Sequence, residues 1–148
     1  MIISVRRLVV DDVELVTYLE AIAREAIVDQ RGGAALLAEQ PAVVSWADLV
    51  DDDQHPVWVG DIDSTPVGYL EAVRLGDTLR VQQVFVHHGA RELGLGDALL
   101  AAAVEHARRT GCTTLEGSAL PGDRLTKNLY ERAGITARKI ILSTRLAD

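Results

Sequence analysis

A glycine-containing hexapeptide between two apolar segments most constrains what this chain can fold into. Arg91-Glu92-Leu93-Gly94-Leu95-Gly96 follows the apolar run from Val81 to Val86 and precedes the Ala/Leu-rich segment from Asp97 to Thr110. This pattern predicts a strand that turns sharply into a helix. Because glycines lack Cβ atoms, several backbone N–H groups at the turn can approach one phosphate, and the positive end of the helix adds attraction. The segment therefore predicts a site for a phosphorylated ligand.

Two other glycine motifs are excluded by residues that this segment lacks. A dinucleotide-binding fingerprint requires a third glycine where Leu99 stands, and a P-loop requires a Lys-Ser or Lys-Thr pair. The remaining pattern is Arg/Gln-x-x-Gly-x-Gly/Ala. In this form and setting, the segment resembles the pyrophosphate-binding signature for coenzyme A in the GCN5-related N-acetyltransferase (GNAT) family.

A second segment strengthens the resemblance. The stretch from Asp123 to Ile135 is similar to the family's later motif, Asn-x-x-Ala-x-x-Leu-Tyr-Glu-x-x-Gly-Phe. The residues that match in register are Leu129, Tyr130, Glu131 and Gly134. Asp123 stands in place of the usual Asn and Ile135 in place of the usual Phe. The two motifs occur in the family's order, and the resemblance extends from about Val57 to about Leu142.

The order of predicted elements indicates a mixed sheet covered by helices. Ile2 to Val5 is predicted as a strand, and a helix and shorter helical pieces follow from Asp11 onward. Three strands with short turns then predict an antiparallel meander: Val57 to Val59, Val67 to Val73 and Thr78 to Val86. A helix–strand–helix–strand order completes the chain. The resemblance implies an α+β fold, a three-layer α/β/α arrangement whose GNAT-like central sheet is mixed, mostly antiparallel and flanked by helices, in a single domain over residues 1–148.

Composition limits the classes of partner. The chain has 148 residues, 48% of them apolar, and its 15 basic and 22 acidic residues give a formal charge of −7. This charge disfavours nucleic acid, whose phosphates it would repel. It either favours amine substrates or serves only solubility. The four histidines are dispersed, and no Cys or carboxylate completes a recognisable ligand spacing, so no metal is predicted.

The same composition bears on location. A single cysteine, Cys112, cannot form an intramolecular disulfide framework, which indicates a reducing compartment. No apolar run near the main helix is long enough to span a membrane, and the N-terminus lacks the pattern of a signal peptide. We therefore expect a cytoplasmic protein that has no membrane partner.

The resemblance implies acetyl-CoA as cosubstrate and names its binding residues. The backbone of Phe85 and Val86 is expected to orient the acetyl and pantetheine portion. The expected pyrophosphate-binding residues are Arg91, Glu92, Leu93, Gly94, Leu95, Gly96 and Asp97. On the second motif, Asp123, Lys127 and Tyr130 lie on one predicted helical face, which lines the coenzyme A channel in the family.

Amide formation from a thioester needs an unprotonated amine and a stabilised leaving thiolate. A lysine-like amine has a pKa of about 10.4, so a base or a desolvated site must favour its free form. Tyr130 matches the family's frequent general acid and is our candidate donor to the thiolate. Glu116 is the first candidate base because it resembles a carboxylate that N-terminal acetyltransferases of this family carry before the second motif. Glu71 is the second candidate, and an ordered water is the third.

The sequence therefore predicts an N-acetyltransferase that moves an acetyl group from acetyl-CoA to a primary amine by direct transfer in a ternary complex. The acceptor is expected to be a small-molecule amine or a peptide N-terminus. Because Arg91 is the only cation of the anion loop, the alternative is a non-catalytic acyl-CoA-binding or interaction module that retains the fold. The resemblance also suggests a homodimer.

Overall fold

The computed structural model describes residues 1–146. Its strands are β1 (Ile3–Arg7), β2 (Val57–Ile62), β3 (Thr65–Leu75), β4 (Thr78–Val86) and β5 (Thr114–Glu116). Its α-helices are α1 (Val13–Ile27), α2 (Gly33–Glu39), α3 (Leu95–Arg109) and α4 (Arg124–Arg132). Short 3-10 helices occupy Val10–Asp12, Ala47–Leu49 and His88–Leu93. None of the described helices combines the length and the apolar character needed to cross a membrane.

The five strands form one sheet in the order β1-β2-β3-β4-β5. Each neighbouring pair from β1 to β4 is antiparallel, and β4 pairs with β5 in parallel. A parallel pair requires a crossover, which α3 supplies between β4 and β5. The predicted mixed and mostly antiparallel sheet flanked by helices is thus confirmed.

Alternating side chains of the strands fill two separate cores. Trp58 of β2 and Leu70 of β3 pack with α3 and α4 on one face. Val59 and Tyr69, their sequence neighbours, pack with α1 on the other face. This alternation follows from the two-residue period of a strand, and burial of both faces requires helices on both sides.

β4 and β5 separate soon after they pair. The register between them covers only Thr78 to Arg80 opposite Thr114 to Glu116. On its other side, β4 contains an irregularity at Gln82, because Glu71 pairs with Gln83 while Ala72 pairs with Val81. A bulge of this kind bends a strand and increases its twist. The second half of β4 therefore borders an opening in the sheet.

Two predicted details differ from the structure. The segment between β4 and α3 contains the 3-10 helix His88–Leu93, so the chain does not turn sharply from strand to helix. The strand predicted after α4 is absent from the described residues, where 136–146 carry no regular element. Ile140, Ile141 and Leu142 are exposed there. Strand propensity alone does not create a strand, since its backbone must also find a sheet edge.

Candidate active site

A cleft of about 1110 Å³ crosses the molecule along the second half of β4. One end is bounded by the His88–Leu93 turn, the start of α3 and α4. The other end is bounded by α1 and α2. We call these the loop end and the helical end. Of the predicted cofactor residues, ten line the cleft: Phe85, Val86, Arg91, Glu92, Leu93, Gly94, Gly96, Asp97, Asp123 and Tyr130.

The loop end presents the start of α3. Gly94 has φ +79°, a left-handed conformation that glycine adopts without a Cβ penalty, and it directly precedes the helix. The first intrahelical bond runs from the N–H of Ala98 to the carbonyl of Gly94 at 3.0 Å. The N–H groups before Ala98 therefore have no acceptor within the helix and are available to an anion. Leu95, another predicted residue, is fully buried, so only its backbone can contribute.

Two arginines and the carboxylate of Asp97 surround this helix start. Arg91 donates from Nε to the carbonyl of Val86 at 3.1 Å, with its guanidinium 5.9 Å from the centroid of the Phe85 ring. Asp97 is paired with Arg132 of α4 at 2.9 Å, which offsets its charge. The cleft therefore has a second cation, Arg132, that the sequence analysis missed. No sequence signal marks this pair, because its members lie on different helices.

The first turn of α4 fixes Asp123 and turns Lys127 away. Asp123 is the N-cap of α4, since its carboxylate accepts from the Thr126 N–H at 3.1 Å and from the Thr126 hydroxyl at 2.7 Å. Its negative charge is thereby used to stabilise the helix start. Lys127 is exposed and is not among the residues that line the cleft. The structure thus differs from the prediction at Lys127, because only part of the predicted helical face turns inward.

Tyr130 lies between the core and the middle of the cleft. It is 7% exposed, and its hydroxyl occupies the space where any side chain at Gly117 would begin. Within residues 1–146 the hydroxyl makes no hydrogen bond to protein, and Tyr130 is one of the residues that line the cleft. Burial raises the pKa of Tyr130 above its ordinary value, which keeps the hydroxyl protonated at neutral pH. A residue of the cleft wall thus carries a protonated hydroxyl that has no partner among the described residues.

Glu116, the first candidate base, does not line the cleft. It stands opposite Arg80 in the β4–β5 register and forms an ion pair with that residue at 2.7 Å. Both side chains are nearly half exposed, at 44% for Glu116 and 47% for Arg80. Glu116 therefore lies outside the cleft, although Ser118 and Ala119 of the loop that follows β5 line it. A sequence spacing could not reveal this, because the direction of the side chain depends on the pairing register.

We expect Glu116→Gln to leave kcat within about twofold of the parent, because the side chain does not line the cleft and is paired with Arg80. The free energy of unfolding should change by less than about 1 kcal/mol, as is usual for an exposed ion pair. Steady-state kinetics with chemical denaturation will measure both quantities. Arg80→Gln is the matched control, since it removes the same ion pair from the other side. A tenfold fall in kcat for the glutamate variant alone would restore Glu116 as a base.

A buried polar network lies behind the helical end. The side-chain amide nitrogen of Gln83 donates to Glu20 at 2.7 Å and to Glu71 at 2.8 Å. The Oε1 of the same amide accepts from the Tyr69 hydroxyl at 2.7 Å. Glu71 also contacts Nε2 of His55 at 2.6 Å. Gln83 and Tyr69 line the cleft, whereas the two carboxylates, 4% and 5% exposed, stand behind them. Glu71, the second candidate base, is thus held away from the cleft surface.

Sequence reasoning missed most of this network. Glu20 follows Val16 by four residues, so it lies on the buried face of α1, where a carboxylate is unexpected. A polar residue on an apolar helical face was therefore the available signal. Burial, followed by the charges of Glu20 and Glu71, raises the pKa of Tyr69, so its hydroxyl remains a donor.

The pair of His55 and Glu71 should make stability depend on pH. The hydrogen bond to Glu71 raises the pKa of His55 against the opposing effect of burial, and the charges of Glu71 and Asp52 add to the increase. A raised pKa in the folded state stabilises the protein below the unfolded pKa of about 6.5, and this contribution disappears as pH rises through the folded value.

Thermal unfolding at about pH 6 and about pH 9 will test this sign. The difference in Tm between the parent and His55→Gln should be larger at the lower pH. His88→Gln serves as the control, because His88 is exposed and does not contact Glu71. An equal difference at both pH values would show that the pair does not titrate as described.

Comparison with known proteins adds an independent finding. Residues 23–135 match the model of the acetyltransferase (GNAT) family. Among solved structures, the ribosomal-protein-alanine N-acetyltransferase from Brucella melitensis biovar Abortus 2308 aligns with a TM-score of 0.72 at 19% identity, covering 100% of both chains. An aminoglycoside acetyltransferase, HMB0005, from an uncultured soil metagenomic sample gives 0.72 at 19% identity, covering 99% of this chain and 100% of that one.

A third similar structure is AAC(6')-Iy in complex with the bisubstrate analogue CoA-S-monomethyl-acetylneamine. Its TM-score is 0.69 at 17% identity, with coverage of 98% of this chain and 99% of that chain. At such identities the likeness establishes the fold. The match to the family model covers well over half of the sequence, and the chain therefore belongs to the GNAT acetyltransferase family.

Proposed function

We propose that the protein transfers an acetyl group from acetyl-CoA to a primary amine, directly within a ternary complex. The observation that carries this proposal is one continuous cleft. It joins the start of α3, Tyr130 and the helical end beneath α1 and α2. A phosphorylated donor and an amine can enter from opposite ends and meet at β4.

Acetyl-CoA would lie along β4 and the start of α3. Beyond Arg80, β4 has no pairing with β5, so backbone groups near Phe85 and Val86 can bind the acetyl and pantetheine portion. The pyrophosphate would be bound by N–H groups between Arg91 and Asp97. Arg91 supplies positive charge at this end, whereas the charge of Arg132 is offset by its ion pair with Asp97. Structures of similar proteins with CoA support this assignment.

In the reaction, the amine nitrogen attacks the thioester carbonyl, the C–N bond forms, and the C–S bond breaks. Tyr130 donates its proton to the departing thiolate and later recovers one from solvent. The proton lost by the amine passes to water in the cleft, because neither Glu116 nor Glu71 lines the cleft wall. This leaves the ordered water as our proposed base.

Named acceptors of similar proteins support an amine acceptor in general terms. One similar structure is described as a ribosomal-protein-alanine N-acetyltransferase, and others are described as aminoglycoside acetyltransferases. These acceptors differ in size and charge, yet each reaction acylates an amine. We propose an amine acceptor for this chain on the same basis.

A panel of amines with acetyl-CoA, monitored by release of free CoA thiol, will test the proposal. We expect turnover of at least one amine, intersecting initial-velocity patterns and no acetylated enzyme by mass spectrometry. Parallel patterns with an acetyl-enzyme would contradict direct transfer. Binding of acetyl-CoA without turnover of any amine would instead favour the non-catalytic acyl-CoA-binding module.

A further inference from the structure

The two ends of the cleft differ in charge. Among the described residues that line it, the carboxylates are Glu92, Asp97 and Asp123, all at the loop end. The lining of the helical end has no carboxylate of its own within residues 1–146, and its charged residue is Arg24 of α1. An amine acceptor that enters there meets a cation on the wall. This arrangement limits which amines fit.

Arg24 retains positive charge and free donors. Its guanidinium donates to the carbonyl of Gln40 at 2.6 Å and to the carbonyl of Leu37 at 3.2 Å. Both acceptors are uncharged, and Arg24 forms no ion pair within residues 1–146. A guanidinium has five N–H donors in a planar fork that suits a carboxylate, and these two bonds leave some of them free. The contacts with α2 also hold the guanidinium in place.

A negative region lies one helical turn away. Glu20 precedes Arg24 by four residues on α1, which corresponds to about 6 Å along a helix. The Glu20 and Glu71 carboxylates accept from the same Gln83 amide, and Glu20 also accepts from the Val43 N–H at 3.1 Å. Their charge acts through a poorly solvated wall formed by Tyr69 and Gln83, where it is weakly screened.

We propose that the acceptor is a zwitterionic amine of the amino-acid type, with its ammonium group and carboxylate separated by only a few bonds. The nitrogen lies at the wall of Tyr69 and Gln83, and the carboxylate is bound by Arg24. This inference rests on the proposed function and adds the substrate class to it. Three apolar residues of the same end accommodate an apolar side chain: Ile27, Leu36 and Leu37.

A polycationic acceptor fits this end poorly. Each additional ammonium group would approach Arg24 without a carboxylate on the surrounding wall to offset the repulsion. The buried carboxylates of Glu20 and Glu71 attract one ammonium group, but they are covered and cannot pair directly with several. The chain therefore differs in predicted acceptor from the structures described as aminoglycoside acetyltransferases.

Calorimetric titration of the CoA-loaded protein with L-leucine and L-leucinamide will test the inference, because the two ligands differ mainly in the carboxylate. Kanamycin provides the polycation. We expect leucine to bind at least about tenfold more tightly than leucinamide or kanamycin. Arg24→Gln should reduce the preference over leucinamide to about twofold or less. Arg31→Gln, which removes an exposed arginine shortly after α1, should preserve it.

Arg24 also contacts α2, so the Arg24→Gln variant could fold less well than the parent. Its folding is checked by thermal unfolding and by acetyl-CoA binding. Both the Tm and the Kd for acetyl-CoA should equal those of the parent. The relative affinities of the parent protein for leucine, leucinamide and kanamycin test the inference even if the variant does not fold. Equal affinity for leucine and leucinamide, tighter binding of kanamycin, or no binding of any of them would overturn the inference. Acetylation is measured in parallel. Turnover without preference refutes the inference alone, and so does turnover of other amines when leucine is not acetylated. The expected binding preference without turnover of any amine refutes only the proposed function.

Discussion

Gly94→Glu/Gly96→Glu is expected to weaken acetyl-CoA binding by at least about a hundredfold, equivalent to about 2.8 kcal/mol. Gly94 and Gly96 line the cleft where α3 begins, and glutamate side chains there would place negative charge beside the N–H groups that the pyrophosphate needs. A Cβ at Gly96 would also make van der Waals contact with Leu129 at 3.4 Å, and because Gly96 lines the cleft, a long side chain there would take up space in it. Charge and volume thus act in the same direction.

Because Gly94 has a left-handed φ, replacing it strains the backbone, and this effect requires a matched control. Gly111, at the end of α3, also has a left-handed φ, +83° compared with +79° at Gly94, and neither residue has an atom within 4 Å of an added Cβ. Gly111→Glu therefore imposes a similar backbone strain, about 1–2 kcal/mol, far from the proposed cofactor site. Calorimetry should give the parent affinity for this control. Similar acetyl-CoA affinity in the double variant and the parent would refute the loop assignment.

The fold was largely predictable because local signals and the family motifs agreed. Alternation in β2 and β3 and the glycine after α3 each mark an element independently of distant residues. The strand predicted after α4 was wrong because an apolar run such as Ile140 to Leu142 does not specify a partner for its backbone. Registers depend on distant residues and are correspondingly harder to predict.

The candidate site was predictable on the cofactor side and much less so on the acceptor side. The loop from Arg91 to Gly96 is contiguous, so its spacing is visible in the sequence. Glu20, Glu71 and Gln83 come from a helix and two strands, and only the folded chain brings them together. Glu116 was likewise misassigned: its sequence position resembles that of a family carboxylate, but only the folded chain shows that its side chain pairs with Arg80. The homodimer and the cytoplasmic location stay predictions.

Tyr130→Phe is expected to lower the single-turnover rate by about a hundredfold and to leave the Kd for acetyl-CoA within about twofold. The thiolate that departs has a conjugate acid with a pKa near that of cysteine, about 8.5, so a hydrogen bond to its sulfur stabilises the developing charge. Tyr130 lines the cleft and its hydroxyl has no partner within residues 1–146, and burial raises its pKa, so the hydroxyl carries its proton when the thiolate begins to depart. Because this interaction forms as the C–S bond breaks, its loss should reduce the rate more than binding.

Stability distinguishes this role from simple packing. Removal of a hydroxyl that bonds no atom of the described residues leaves no buried partner unsatisfied there, so the free energy of unfolding should change by less than about 1 kcal/mol. Tyr18→Phe is the matched control, because Tyr18 is 61% exposed on α1 and does not line the cleft. Single-turnover mixing avoids masking by slow product release. An unchanged rate in Tyr130→Phe would remove Tyr130 from the reaction and assign the proton of the thiol to solvent.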